Sequence, residues 1–534
     1  MPHLLSIRLL RWTCAILVTI GMSACTMHTI DRDLLAPTYL HDLRPADAGT
    51  IKVHLRDGSV LVLPTWTYDE STDEIRGSGE HWDALRREKT DGPISVSMDE
   101  VVLIETNRVL RSQRLVAVAI LGGISTALTI HCLSQPKACF GSCPTFYLEG
   151  DDVPRAEGFS SSIAPSLERT DVDDLGEHRI TGGRLLLTMR NEALETHVVR
   201  HVDLLAFPAA ERGAEILAGT DGRYYRAADA TPPGDCSGRD WASESVAPPS
   251  VQEAELAWCR ALAAKDGDWR SVPADSVDLT TKEDFFVTFD AAPAGSLGLV
   301  VSARQSLLTT YVFYQTLTWM GTQAGTWLAA LERGDTIRES PLGTILGRIE
   351  IAVSDTRGGW IPVGTCGETG PLATDTWCLP LSPPPGVVWD PTHFRLRSTR
   401  GLYRLDRVAL ARIEDAGSPI RLQPTQVWSE TGADPDALAE LLDPLDALVT
   451  VAGTSHTLEF DVPPELGSRC SLFLESRGYY LEWMRREWEE GEDPQKLLQL
   501  LWQPRAALRA MTADYKRNEA GMESMFWASR YVAP

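Results

Sequence analysis

The first 25 residues constrain the folding of this chain more than any other stretch. Arg8 and Arg11 precede an apolar run from Trp12 to Ile20, which small residues follow. A short basic region, a short apolar core and small residues are the parts of an export signal. The apolar core is short for a membrane span. We therefore expect residues 1–25 to be a signal peptide and the rest of the chain to fold outside the cytoplasm.

The end of this segment resembles the lipobox of bacterial lipoproteins. Met22-Ser23-Ala24-Cys25 places a cysteine directly after small residues. The resemblance implies that Cys25 is acylated and becomes the mature N-terminus of a membrane-anchored lipoprotein, in the periplasm or at the cell surface. Residues 26–47 would then form a tether. The alternative is an ordinary membrane helix with a chance cysteine.

Length and charge indicate a multi-domain globular protein. A chain of 534 residues is too long for one hydrophobic core, so about three or four domains are expected. The formal net charge of −24 repels phosphate backbones. We therefore exclude nucleic acid as a partner.

The cysteines indicate disulfides. The chain has ten cysteines, and an even set remains once Cys14 leaves with the signal and Cys25 takes the lipid. Such a set is typical of exported proteins with disulfides. Cys366 and Cys378 flank a predicted hairpin and form the first candidate pair. Cys236 and Cys259 form the second.

Short alternating strands predict a mainly β fold with added helices (α+β). Ile51, Val53 and Leu55 alternate with polar residues up to an Asp57-Gly58 turn, which predicts a β-hairpin. Four or five short strands in residues 48–110 suggest a small barrel of the SH3 or Sm type, by analogy of fold alone.

A second apolar segment follows this unit. Residues 115–133 number 19 and include no Asp, Glu, Lys or Arg, which is almost long enough to cross a bilayer. Arg108, Arg111 and Arg114 precede it, and in an exported chain they would lie outside, against the positive-inside rule. We therefore expect an apolar, membrane-associated helix within 111–135. A true span is the alternative.

Two motifs follow this helix. They are Cys143-Pro144-Thr145-Phe146-Tyr147 and Leu167-Glu168-Arg169. The pair resembles a group of uncharacterised bacterial membrane proteins with an apolar helix, a Cys-Pro-x-x-Tyr motif and a Leu-Glu-Arg-acidic motif. Here Thr170 separates Arg169 from the acidic residue, which departs from that pattern. The resemblance implies organisation and no particular activity.

The rest of the chain divides into four predicted regions. They are a β-rich domain at 136–230, a linker and helix at 231–283, a β-sandwich with a helical insertion at 284–412, and an α+β C-terminal region with terminal helices at 413–534. Among the helix signals are Asp434 before Pro435 and Asp493 before Pro494, each typical of a helix N-cap. Gly321 and Gly325 are expected to break a helical stretch from Gln305 to Leu331.

The strand from Tyr403 to Leu410 resembles the closing strand of galactose-binding-like jelly rolls. In many carbohydrate-binding modules an acidic residue at this place helps to hold a structural calcium ion. The resemblance implies that role for Asp406. The alternative is a salt bridge from Asp406 to Arg404 or Arg407, because a carboxylate between Leu405 and Val408 needs a partner. Calcium is the one cofactor considered, and otherwise none is expected.

Three tryptophans in the predicted sandwich are candidates for contact with a sugar. Trp360, Trp377 and Trp389 would present aromatic faces to a glycan, with core packing as the alternative. His197 and His201 have a spacing that suits a metal on a helix, but the segment is predicted as a strand, where the two rings are too far apart for one ion.

Recognisable catalytic motifs are absent from the sequence. We therefore expect a lipid-anchored cell-envelope protein of structural or ligand-binding type, whose candidate partners are the membrane, a glycan or another envelope protein. The alternative is an envelope enzyme whose site is assembled from dispersed residues. A cleft with strongly shifted carboxylates would favour the enzyme, and a shallow face with exposed tryptophans would favour binding.

Overall fold

Strands dominate the computed structural model of the chain. It describes residues 27–35, 40, 45–85, 88–112, 144–159, 162–240, 258–321, 323–332, 345–355, 357–367, 369–382, 386–485, 488 and 491–528. Strands make up 49% of the structure and helices 19%, so the predicted mainly β fold with added helices is confirmed.

Two predicted N-terminal features lie outside the described residues. They are the signal peptide with Cys25 and the apolar segment at 115–133. Both therefore stay predictions. Within the described part of the chain, every helix is too short or too polar to cross a membrane.

The elements are numbered in chain order. The strands are β1 (Met27–Leu35), β2 (Thr50–Leu55), β3 (Val60–Asp69), β4 (Glu74–Trp82), β5 (Lys89–Ser97), β6 (Val101–Ser112), β7 (Thr145–Leu148), β8 (Ala156–Glu157), β9 (Arg169–Arg179), β10 (Arg184–Arg190), β11 (Glu195–Pro208), β12 (Ala214–Gly219), β13 (Tyr224–Thr231), β14 (Asp235–Asp240), β15 (Lys282–Thr288), β16 (Leu297–Gln305), β17 (Ile349–Asp355), β18 (Trp360–Cys366), β19 (Asp375–Pro380), β20 (Trp389–Thr399), β21 (Tyr403–Asp415), β22 (Ile420–Leu422), β23 (Gln426–Ser429), β24 (Gly432–Ala433), β25 (Leu448–Val451), β26 (Ser455–Asp461) and β27 (Arg469–Glu482). The helices are α1 (Pro45–Ala48), α2 (Leu308–Met320), α3 (Gln323–Glu332), α4 (Pro435–Leu442), α5 (Pro494–Trp502), α6 (Pro504–Asn518) and α7 (Met522–Ala528).

The chain divides into two compact units, each made of three segments. The first comprises Met1–Ser125, Gln315–Ala330 and Met484–Leu501, and the second Thr126–Tyr314, Leu331–Trp483 and Trp502–Pro534.

The N-terminal part of the first unit is a six-stranded antiparallel sheet in the order β1-β6-β2-β3-β4-β5. β2 and β3 form the predicted hairpin, in which Ile51 lies opposite Leu63 and both are fully buried. Gly58 in the connection has φ +79, a conformation that glycine adopts without steric cost. The predicted tether is corrected here, because β1 pairs along its whole length with β6. Residues 27–35 carry several charges and alternate poorly, so local pattern does not reveal this strand.

The predicted break at Gly321 is confirmed, whereas the one at Gly325 is wrong, because α3 runs through it from Gln323 to Glu332. α2 ends at Met320, and Gly321 has φ +58 before α3 begins. A Cβ atom at this position would lie 2.6 Å from Cβ of Glu492. Both the backbone conformation and the available space therefore require glycine.

In the second unit, two sheets share one hydrophobic core. One sheet has the order β24-β23-β26-β10-β7-β8, and the other has the order β22-β11-β27-β9 with β25 beside β11. Leu187 and Phe460 from the first sheet and Val202 and Leu472 from the second are fully buried in this core. Strands from 145–208 thus pair with strands from 420–482 in both sheets. The predicted boundary between a 136–230 domain and a 413–534 region is therefore wrong for these strands.

The intervening residues of the second unit build two further sheets. β12-β13-β21-β16-β19 close into a barrel, and β14-β15-β20-β17-β18 form a five-stranded sheet. Both take strands from outside the predicted 284–412 sandwich, since β12 and β13 precede residue 232 and β14 lies in the predicted 231–283 linker. Pairing across long stretches of chain, which local pattern does not encode, decides these boundaries.

The predicted disulfide between Cys366 and Cys378 is wrong. β18 and β19 are not a hairpin: Cys366 lies opposite Ile349 in the five-stranded sheet, and Cys378 lies opposite Val300 in the barrel. Both thiols are free and buried. The second predicted pair is confirmed, since Cys236 and Cys259 form a disulfide with a Cα–Cα distance of 5.5 Å.

Candidate functional site

A cleft of about 550 Å³ lies in the second unit, next to the barrel strand that carries Asp406. β9 contributes Asp174, β16 contributes Arg304, and α7 contributes Glu523 and Trp527. Apolar walls come from Val153, Leu175 and Leu372. The remaining wall is a loop, residues 263–269, here called the cleft loop.

The cleft loop is tied to β21 at both ends. Before the loop, the amide of Val408 donates a hydrogen bond to the carbonyl of Leu262 at 3.1 Å. After the loop, Arg270 and Leu405 exchange backbone hydrogen bonds of 2.8 and 3.2 Å. The loop therefore lies along the strand. It belongs to the predicted linker, which is instead one wall of the cleft.

A buried arginine secures the far end of the loop. Arg270 is 2% exposed and forms an ion pair of 3.1 Å with Glu283. Its guanidinium lies between two aromatic rings, 4.7 Å from the centroid of Trp258 and 3.9 Å from that of Phe285. Trp258 is adjacent to Cys259, so the disulfide holds the ring that covers this arginine.

Asp406 accepts hydrogen bonds from the cleft loop itself. Its Oδ1 accepts from the amides of Asp266 at 3.2 Å and Gly267 at 3.1 Å. The predicted salt bridge is wrong, because Arg404 pairs with Glu523 and Arg407 with Glu215.

Burial is the main reason why the pKa of Asp406 is raised above its ordinary value. The two amides partly oppose this rise, and the carboxylate of Asp266 adds to it. Two N–H donors already point at Oδ1, so only Oδ2 is left for any cation. The structural calcium ion stays a prediction.

A second charged group lies around Glu523. This carboxylate forms ion pairs with Arg304, at 3.0 Å, and with Arg404. Burial pushes the pKa of Glu523 upward, but the two guanidinium groups outweigh it and hold the pKa below its ordinary value. Arg304 also donates to the carbonyl of Pro371 at 2.6 Å and is only 6% exposed. The position of Glu523 is thus fixed from two strands, β16 and β21.

Trp269 has an unsatisfied donor. Its ring lies under the guanidinium of Arg304, 4.4 Å from the ring centroid. Its indole nitrogen is shielded from solvent, and the described residues offer it no hydrogen-bond acceptor. A buried N–H without a partner is costly. Trp269 lines the cleft, and an oxygen atom of a ligand would satisfy this donor once the atoms that cover the nitrogen move aside.

The three predicted glycan-facing tryptophans do not line this cleft. Trp360 and Trp389 belong to the five-stranded sheet, opposite Ser354 and Asp355 of β17. Successive strand residues point to opposite faces, so these two rings do not form one platform. Trp377 lies in the barrel, and Trp360 is partly covered by Phe286 and Arg395.

His197 and His201 lie on β11, as the strand prediction requires, and have different partners. His197 is fully buried and contacts Glu195 at 3.1 Å, whereas His201 is 3.3 Å from Glu475. His201, Asp203 and Glu475 could together hold a metal ion, since their ligand atoms lie within 4.8 Å of one another.

A guanidinium occupies the position between those two carboxylates. Nη1 of Arg421 is 2.5 Å from Asp203 and 2.5 Å from Glu475. Arg421 therefore balances part of the charge of Asp203 and Glu475, and this cluster resembles a structural ion-pair network more than a metal centre.

The Cys-Pro-x-x-Tyr and Leu-Glu-Arg motifs contribute to packing and ion pairing. Phe146 is fully buried in the sandwich core, and the hydroxyl of Tyr147 donates to Glu192 at 2.9 Å. Glu168 joins two strands through Arg200 at 3.2 Å and Arg477 at 2.7 Å. These contacts explain the motif residues as structural.

Comparison with models of known protein families and with curated protein sequences finds no match. The resemblances noted in the sequence therefore stay predictions.

Sequence reasoning identifies one residue of the cleft, Asp406, and misses the others. Trp269 and Asp266 lie in a predicted linker, and Arg304 lies in a strand that is entirely buried. The sequence holds a signal for both Arg304 and Trp269. An arginine is unusual in an apolar strand, and a tryptophan beside Asp-Gly-Asp is unusual in a linker.

Proposed function

We propose that this chain is a lipid-anchored protein of the cell envelope that binds a glycan in the cleft at Asp406. The anchoring part rests on the signal and lipobox pattern of residues 1–25. The ligand part rests on the cleft, and its support is independent of the tryptophans chosen from the sequence.

The unsatisfied indole N–H of Trp269 beside the carboxylates of the cleft carries this proposal. A sugar hydroxyl accepts one hydrogen bond and donates another, so it would satisfy such a donor and bond to a carboxylate. The C–H faces of a sugar ring would pack against Trp527 and Leu372. The volume of about 550 Å³ lies in the range of small-ligand sites.

A glycan array probed with the labelled full-length chain in detergent tests this proposal. We expect a defined set of oligosaccharides to bind, and Trp269→Phe to weaken the best of them about fivefold, because the ring stays and one N–H donor is lost. Trp428→Phe is the matched control, since Trp428 lies on β23 and is 40% exposed outside the cleft. An array without bound glycans, or equal weakening by both substitutions, would contradict the proposal.

A hydrolytic enzyme is the second candidate, and one observation favours it. The cleft holds two carboxylates whose pKa values move in opposite directions, upward for Asp406 and downward for Glu523. Glycosidases use such a pair as proton donor and as base or nucleophile. The ion pairs of Glu523 with Arg304 and Arg404 weaken it as a nucleophile, so binding is the better-supported function. Chromatography of each bound oligosaccharide after incubation separates the two functions, because only an enzyme would shorten it.

A further inference from the structure

We propose that the ligand of this cleft carries a primary ammonium group, which binds at the carboxylates of Asp266 and Asp406. The proposal rests on the glycan-binding function above and narrows its ligand class to amino sugars whose amine is not acetylated. It follows from which charged groups of the cleft already have partners.

Each basic side chain that lines the cleft has an acidic partner. Arg155 pairs with Asp151 at 2.6 Å, and Lys265 pairs with Asp174 at 3.2 Å. Arg304 pairs with Glu523, as described above. These pairs leave no cleft-lining cation uncommitted among the residues that the structure describes.

Two carboxylates of the cleft lack such a partner. Oδ1 of Asp406 accepts from backbone amides only, and the carboxylate of Asp266 accepts from the amide of Asp268 at 3.0 Å. Neither carboxylate forms an ion pair with the described residues. Asp266 and Asp406 are close enough to repel each other, and this repulsion contributes to the raised pKa of Asp406. An ammonium ion would relieve the repulsion.

Burial makes Asp406 the stronger of the two carboxylates for a cation, since Asp266 is exposed. Asp406 is only 2% exposed, so its interaction with a cation is screened less than at the surface. Oδ2 of Asp406 has no hydrogen bond from the described residues and belongs to a cleft-lining side chain. The compact ammonium group, with three donors, suits Oδ2 and the carboxylate of Asp266 together.

The charge of the rest of the molecule also favours binding of an ammonium group at Asp266 and Asp406. Arg304 and Arg404 share the carboxylate of Glu523, and the buried carboxylate of Glu157 also acts on Arg304, so the positive charge in that part of the cleft is balanced. The ammonium group is thereby directed to Asp266 and Asp406. The net charge of −24 also attracts cationic ligands to the protein as a whole.

Isothermal titration of the full-length chain in detergent tests the proposal with two matched probes, the trimer of glucosamine and the trimer of N-acetylglucosamine. The free amines should give at least about tenfold tighter binding, and added salt should reduce this preference. Asp266→Asn and Asp406→Asn should each reduce it. Asp461→Asn is the matched control, because Asp461 is an exposed carboxylate on β26 and does not line the cleft.

The outcomes separate this inference from the function on which it rests. Equal or tighter binding of the acetylated trimer would overturn the ammonium inference and leave glycan binding in place. A preference for the amine that survives both cleft substitutions would also overturn it, because the amine would then bind elsewhere. If neither trimer nor any arrayed glycan binds, the proposed function itself fails. Asp266 is exposed, so Asp266→Asn tests the site even if Asp406→Asn folds poorly.

Discussion

Asp406 shows how a carboxylate is retained inside an apolar strand. Two consecutive amides of the cleft loop donate to one of its oxygens, so the side chain is an anchor for the loop. A charge-assisted hydrogen bond is stronger than a neutral one, yet burial disfavours the charge. The charged form of this carboxylate therefore lowers the free energy of unfolding, and the size of this effect depends on pH.

Substitutions at Asp406 should separate the hydrogen bonds from the charge. Asp406→Ala removes the acceptor of two partly buried hydrogen bonds and should lower the free energy of unfolding by about 1–3 kcal/mol in urea unfolding at neutral pH. Asp406→Asn keeps an acceptor oxygen without the buried charge and should be neutral or stabilising. Equal destabilisation by both would mean that the charge itself holds the loop.

The pH dependence follows from the raised pKa of Asp406. The folded state binds a proton more readily than the unfolded state, so stability from this group rises as pH falls from neutral through the raised pKa towards the ordinary value of 3.8. Lys265 opposes and Asp266 reinforces this shift. Asp406→Asn should remove that part of the pH dependence.

At this scale the sequence predicts little of the site. Asp406 attracts notice because Leu405 and Val408 flank it, but its partner amides lie 139 and 140 residues earlier in the chain. The prediction of Trp360, Trp377 and Trp389 as glycan-facing depends on the assumption that a predicted strand exposes its tryptophans. Which side chains face one cavity depends on tertiary contacts that spacing does not reveal.

The element that most depends on covalent chemistry is the cleft loop. The disulfide closes 23 residues of chain and holds Trp258 over Arg270. Cys236→Ser should therefore destabilise the protein by about 2–4 kcal/mol and weaken glycan binding. Urea unfolding and titration with the best arrayed glycan measure the two effects. A variant as stable as the parent would show that the loop does not need the disulfide.

The free cysteines provide a check on which cysteines form the disulfide. Burial raises the pKa of the Cys366 and Cys378 thiols to about 12, so both should resist alkylation until the protein is denatured. Non-reducing peptide mapping should recover the Cys236–Cys259 link. A link between Cys366 and Cys378 would contradict the placement of β18 and β19 in separate sheets.

Elements with local signals were predictable, and their partners were not. The β2–β3 hairpin, the break at Gly321 and the caps at Asp434 and Asp493 all follow from residues within a few positions of the feature. The sequence does not indicate β1, because apolar and polar residues alternate poorly in it. Its strand conformation depends on the pairing with β6.

For the whole molecule, the proposed lipid site has a geometric consequence. β1 begins at Met27, two residues after Cys25, so a lipid on Cys25 would leave almost no tether and hold the first sheet near the membrane surface. Cys25→Ser should abolish palmitate labelling and release the protein from membranes or leave it unprocessed. Unchanged labelling and processing would rule out Cys25 as the lipid site.

The interleaved sandwich of the second unit would also affect how the chain folds if it is exported as proposed. Thr188 and Thr457 are hydrogen-bonded across two neighbouring strands although 269 residues separate them. A chain that crosses a membrane from its N-terminus presents β7–β11 to the far side long before β22–β27 arrive. Such late pairing makes folding slow and leaves apolar strands open to aggregation. On vectorial export, the strands from the first half of the chain would therefore stay without their partners until the last strands emerge.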